Sequence, residues 1–188
     1  MPTTPRTNTR KTLKSLECLG ATIDSTFLSS VVVFQNLVTL NVHTTCSNTE
    51  GRIFTLTDDD VENLASSLPR LEDLRLGQPC QSTPCNATVA SLMSISVHCL
   101  DLTVLETHFN TRTIVSDIQR LIDGGAGRDK AKCKLRRLMV GRLSLEVGEE
   151  DIDTVAMGFN VIFPCLTNFE SRESGWRQLR SKLVDLQR

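Results

Sequence analysis

The feature that most constrains this chain is a leucine pattern that returns six times. Segments related to LxxLxL occur at Leu13/Leu16/Cys18, Leu37/Leu40/Val42, Leu71/Leu74/Leu76, Leu102/Leu105/Thr107, Leu135/Leu138/Val140 and Leu166/Phe169/Ser171. Their starts lie 24, 34, 31, 33 and 31 residues apart. A single match would mean little. A near-regular period of this length has room for a strand, a helix and two loops, and marks a repeat array. One such unit cannot cover its own apolar face, whereas stacked neighbours let each leucine become the floor for the next.

Between the leucine segments the periodicity changes from alternation to helical spacing. In the clearest stretch, Thr57 is an expected N-cap with Asp60 three residues on. Asp58 and Asp59 suit the positive helix end, and Val61, Leu64 and Leu68 share one face before Pro69 stops the helix. The same spacing recurs at Val89/Leu92/Ile95, Val115/Ile118/Ile122 and Ile152/Val155/Phe159. SLPRLEDL (Ser67 to Leu74) and IFPCLTNF (Ile162 to Phe169) even place an apolar residue, Pro and the repeat leucine at identical offsets.

The expected fold is therefore α/β: a leucine-rich-repeat solenoid, a horseshoe segment with a parallel sheet on its concave face and helices on its convex face. Strands are expected near residues 14–19, 38–43, 72–77, 103–108, 136–141 and 167–171. Residues 1–11 read as a disordered tail, 12–175 as about six irregular repeats, and 176–188 as a capping helix with Trp176, Leu179, Leu183 and Leu186 on one stripe. Each buried aliphatic side chain contributes about 1.5–3 kcal/mol, so the inward Thr107 and Ser171 mark the weaker repeats.

Charge excludes some functions. With 21 Lys+Arg against 22 Asp+Glu and a net charge of −1, nothing in bulk draws the chain to nucleic acid or to an anionic membrane, and neither is an expected partner. The sequence has no run near the roughly 18 apolar residues of a membrane span. Its opening, MPTTPRTNTRK, lacks the apolar core of a secretory signal. Cytoplasm or nucleus is the expected compartment.

The seven cysteines lack CxxC spacing and are expected to be reduced. Cys99, Cys133 and Cys165 fall just before repeat strands, where a small apolar side chain packs well. Cys80 and Cys85, in CQSTPC, match zinc-site spacing poorly even with His98 or His108 nearby. GGAG (Gly124 to Gly127) is not followed by the Gly-Lys-Ser/Thr of a phosphate loop, and GGAGRDKAKCK reads as an exposed loop. Asn86-Ala87-Thr88 is a glycosylation sequon by letter only. No metal, cofactor or catalytic residue is expected.

Repeats written as helix, Leu-Pro-x-Leu, then LxxLxL resemble the irregular leucine-rich regions of fungal F-box proteins, most clearly over LTDDDVENLASSLPRLEDLRLG, Leu56 to Gly77. In that family an N-terminal F-box docks on the adaptor of a cullin-type ubiquitin ligase while the repeats hold a substrate. Here the repeats begin near Leu13 and no F-box is visible, so the resemblance covers the repeat region only. It implies the substrate-recognition part of an F-box-like ubiquitin-ligase receptor, which would meet the cullin-ligase adaptor only with an F-box supplied upstream. The alternative is a stand-alone leucine-rich-repeat scaffold or inhibitor. A third class, an activator lending Arg75 or Arg137 to a nucleotide hydrolase, is weighed below both; the chain is not expected to be an enzyme.

Strand alternation sets which residues would meet a protein partner. If the fourth and sixth motif positions point inward, the concave face carries Asn41, His43, Asp73, Arg75, Glu106, His108, Arg137, Met139 and Glu170. That surface mixes acids, bases, histidine and methionine, which favours specific recognition. A monomer is expected. The register itself is testable: Leu74→Asp should unfold the chain or severely lower its expression, because a carboxylate in the leucine layer has neither solvent nor counter-ion. Glu72→Ala should be nearly neutral. Similar losses in thermal melts of the two variants would show that the inward positions are misassigned.

Overall fold

The structure, a computed structural model, describes residues 13–20, 23–43, 56–77, 86–124, 133–140, 145, 147–171 and 175–186. Strands and helices alternate strictly: β1 (Ser15–Leu19), α1 (Ser25–Val31), β2 (Thr39–His43), α2 (Asp58–Ser67), β3 (Asp73–Leu76), α3 (Val89–His98), β4 (Val104–Thr107), α4 (Ile114–Asp123), β5 (Arg137–Val140), α5 (Glu149–Ile162), β6 (Asn168–Ser171) and α6 (Gly175–Leu186). The six strands form one parallel sheet in chain order. All six fall inside the expected segments, a residue or so shorter at one or both ends.

One backbone device recurs at every strand junction. The carbonyls of Lys14, Val38, Glu72, Thr103 and Arg136 each accept two successive N–H groups from the next strand's start, at 2.7 to 3.2 Å. A second device brings the chain to that point in four of the repeats. The repeat leucine's N–H closes a tight turn onto the carbonyl three residues before it: Leu37 to Phe34, Leu71 to Leu68, Leu102 to Cys99 and Leu166 to Phe163. In the second and fourth of these turns, Pro69 and Pro164 occupy the position that a fixed φ near −65° suits best. That accounts for the identical offsets of proline and leucine in the sequence.

The register lines up Leu16, Leu40, Leu74, Leu105, Leu138 and Phe169 across the sheet. From Leu40 to Leu138 these side chains are fully buried, and Phe169 is 3% exposed. The flanking row runs through Val42, Leu76, Thr107 and Val140, also buried. Thr107 keeps its place among them by donating its hydroxyl to the His108 carbonyl at 3.4 Å. Helical residues cover these rows: Val61 and Leu64 of α2, Leu92 and Ile95 of α3, Ile114 and Ile118 of α4, Val155 and Phe159 of α5. In α4 the buried pair is Ile114/Ile118, while Val115 and Ile122 of the expected stripe are only half-buried. The short α1, capped by Asp24 accepting from the Phe27 N–H, lies where no stripe was anticipated.

Helix starts are linked by acids. Thr57 and Asp60 form the expected capping box. Burial opposes ionisation of Asp60, but bonds from the Thr57 backbone and hydroxyl and from the Ser25 hydroxyl hold its carboxyl below the ordinary value. Asp58 serves the next helix instead, accepting the Thr88 N–H at 2.6 Å, the Thr88 hydroxyl at 2.8 Å and the Ser91 N–H at 3.1 Å. Orphan N–H groups at the start of α3 are thereby satisfied from α2. Thr88 of the sequon is thus itself an N-cap.

The last helix closes one end. Trp176, Leu179 and Leu183 are buried, while Leu186 is 46% exposed. Trp176 stacks on Phe169 with ring centroids 5.2 Å apart and meets Phe109 and Phe159 edge-on. The segments expected as a tail (1–11) and the CQSTPC motif lie outside the described residues, as does most of the GGAGRDKAKCK loop. Cys165, in the turn that Pro164 opens, is exposed, unlike the buried Cys99 and Cys133.

Helices α4 and α5 approach closely at Gly158. A Cβ built there would fall against Cγ2, Cγ1 and Cδ1 of Ile118. Alanine in place of glycine favours the helix by about 1 kcal/mol, but overpacking of a filled core typically costs about 1–3 kcal/mol. Gly158→Ala should therefore lower the midpoint of urea unfolding. Adding Ile118→Ala should cost less in that background than in the parent, a coupling that a double-mutant cycle measures.

Candidate functional site

Alternation along each strand leaves two rows of side chains on the sheet face away from the helices. One runs Ser15, Thr39, Asp73, Val104, Arg137, Asn168, and the other Glu17, Asn41, Arg75, Glu106, Met139, Glu170. These positions are half-buried or exposed. A parallel sheet is commonly covered on both faces; here one face is packed by helices and the other presents polar side chains. That open face is the candidate site.

Its charges are held in defined pairs. Asp73 and Arg75, two residues apart on β3, form a fork with Nε to Oδ1 at 2.9 Å and Nη2 to Oδ2 at 2.8 Å. The Asp73 bond, opposed by partial burial and aided by Glu106 on the next strand, holds the Arg75 guanidinium above its ordinary value. Arg137 reaches across to Glu170, 2.9 Å from Oε1 and 3.0 Å from Oε2, and Asn168 donates to Glu170 at 2.8 Å. These donors, Arg137 foremost, keep the Glu170 carboxyl below the usual range. At the other end, His43 Nε2 lies 3.4 Å from Glu17 Oε1 on the exposed rim. Asn41 is half-buried in β2, and its Oδ1 is enclosed with no hydrogen-bond donor among the described residues. Met139 lies between Glu106 and Glu170 in the register.

Eight of the nine residues expected on this face are therefore at least partly open, and Glu106, Met139 and Glu170 come together at its C-terminal end. There they line a hollow of about 480 Å³ with Val140, Phe169, Ser171, Trp176, Arg177 and Arg180. The apolar stripe of α6 does not point to Arg177 and Arg180. Their spacing of three residues on the polar side of that stripe was the available signal.

His108 is the correction. It was expected to follow the alternation of β4 onto the open face, yet it is 3% exposed. Strand β4 ends at Thr107, and beyond a strand end the period of two no longer fixes direction. Burial pushes the His108 imidazole down to about 4.

The buried cysteines are structural. The Cys99 thiol points at the Ala65 and Leu68 carbonyls at 3.7 Å, and the Cys133 thiol at the Cys99 carbonyl at 3.3 Å, so each lies against the preceding repeat's turn. Desolvation raises them to about 12 and about 11, far from a reactive thiolate near neutral pH. Among the described residues there is no group of three His, Cys, Asp or Glu side chains placed to hold a metal ion. Nor, among those residues, is any helix long and apolar enough to cross a membrane.

In comparisons with protein-family models, curated proteins and solved structures, no match to this chain was found.

The state of His108 has a measurable consequence. The unfolded chain takes up a proton at this residue near the ordinary imidazole value of 6.5, whereas the folded chain resists until about 4. Stability is thus complete above about pH 6.5 and falls as pH drops toward 4, by on the order of 3 kcal/mol. Asp60 and Glu170 sit below their ordinary values of 3.8 and 4.5 and lose their contribution only at lower pH. Between about pH 6.5 and about pH 4.5, urea unfolding of the parent should weaken steeply, and that of His108→Gln should weaken much less. Parallel curves would mean the imidazole is not buried neutral.

Proposed function

We propose that this chain is a leucine-rich-repeat solenoid whose open sheet face binds a protein partner, serving as the substrate-recognition part of an F-box-like ubiquitin-ligase receptor. The observation that carries this reading is the face itself: six parallel strands in chain order, helices on one side, and ordered charge pairs on the other. Partly exposed ion pairs stabilise a fold by only about 0–1 kcal/mol each. Other ion pairs, Arg120 with Asp117, Lys134 with Asp101 and Lys182 with Asp153, lie away from this face; what sets its pairs apart is that they run along two neighbouring rows of an open sheet, an arrangement that suits recognition. Paired guanidiniums and carboxylates are also preoriented, which limits the entropy lost when a partner docks. The F-box link rests on the resemblance of the repeats over Leu56 to Gly77 and on nothing in the site geometry.

The partner is expected to be a protein met by shape and local charge, with neither nucleic acid nor membrane required. Proximity labelling or pull-down from the native cell should recover it. Reversing Arg75, Glu106 and Arg137 together should abolish capture without unfolding the chain, since none lies in the core. Equal charge changes at Glu62 and Asp117 on the helices should leave capture intact; the opposite outcome would put the site on the helical side. With an F-box fused ahead of Leu13, the receptor reading expects association with the cullin-ligase adaptor and ubiquitination of the captured protein. Capture without ubiquitination in that fusion favours a scaffold or inhibitor.

A further inference from the structure

The charges at the C-terminal end of the open face do not cancel locally, and their imbalance says what kind of segment would fit there. Glu170 is already paired in charge with Arg137 and takes a hydrogen bond from Asn168, and Glu106 acts on Arg75. Arg177 and Arg180 of α6 are exposed and lie within ion-pair distance of no carboxylate among the described residues, although Arg180 acts on Glu170 at longer range. Both border the hollow of about 480 Å³, where the half-buried Met139 is the accessible apolar side chain and the nearly buried rings of Phe169 and Trp176 lie beneath as its floor. This combination, two exposed guanidiniums beside a methionine over an aromatic floor, suits a carboxylate next to an apolar side chain. Guanidiniums take carboxylates in forked geometry, and the flexible Met139 side chain adapts to an apolar group laid against it.

We infer that this hollow is the anchoring pocket for an acidic–apolar peptide segment of the protein partner, with Arg177 and Arg180 holding its Asp or Glu. The inference rests on the reading of the open face as a protein-binding surface and names the chemistry it selects. Because the arginines stand on α6 and not on the sheet, this end would differ in specificity from the Asp73/Arg75 centre.

The test uses the full chain against a displayed library of random hexapeptides, with the same selection run on Arg177→Glu/Arg180→Glu. Enrichment of sequences pairing Asp or Glu with Leu, Met or an aromatic residue is expected. For a selected peptide, the double reversal should weaken binding on the order of tenfold or more, and Arg177→Lys/Arg180→Lys should weaken it less. Both arginines are exposed, so an unchanged thermal melt will show that the variants remain folded. No enrichment, enrichment of basic or purely apolar sequences, or indifference to the reversal overturns the inference. If capture of the native partner is lost on reversing Arg75, Glu106 and Arg137 but survives Arg177→Glu/Arg180→Glu, the open face binds a partner and this pocket is not its anchor. If neither set affects capture, both readings fail.

Discussion

The fold depends on one carbonyl per repeat accepting two N–H groups from the next. This shared acceptor fixes where each strand begins relative to its predecessor, and in a sheet a slip of one residue would turn every inward leucine outward. In four of the repeats a tight turn closing on the repeat leucine delivers the chain to that point. Spacing between repeats can then vary from 24 to 34 residues without disturbing the leucine layer, because junction geometry and not loop length sets the register. The apolar stack supplies the free energy; the paired acceptors specify the alignment in which it can form.

Side chains extend that alignment to the helices. Asp58 stands in the first turn of α2 yet saturates the start of α3, and Cys99 and Cys133 lean on carbonyls of the repeat before them. The acidic run at 58–60 thus has divided duties: Asp60 completes its own helix's box and takes the Ser25 hydroxyl, while Asp58 couples two neighbours. A run that composition alone would assign to a solvated surface is part of how the helices are spaced.

The features legible in the sequence were those governed by local periodicity. Leu40, Leu74, Leu105 and Leu138 could be placed inward, and Thr57 and Asp60 at a helix start, because strand alternation and capping chemistry act within a few residues. His108 was misplaced for the same reason: alternation holds only while the chain stays extended, and β4 stops one residue short of it. The association of Phe109, Phe159, Phe169 and Trp176, and the delivery of Arg177 and Arg180 to the edge of the open face, depend on how α6 packs against α5 and β6. No local pattern encodes that. Phe169 in a leucine position hints that a large ring must be matched nearby, but not by which residue.

The aromatic cluster has a consequence for how this protein would report its own unfolding. Strands hydrogen-bond only to their chain neighbours, so loosening can begin at one end and stop short of the other. The single tryptophan is seated with Phe169 at the final repeat. An indole signal followed during denaturation therefore watches the C-terminal end, whereas far-ultraviolet dichroism averages over every helix. Two midpoints that disagree would describe an array fraying from one side, and a single free energy drawn from either signal would describe neither end correctly.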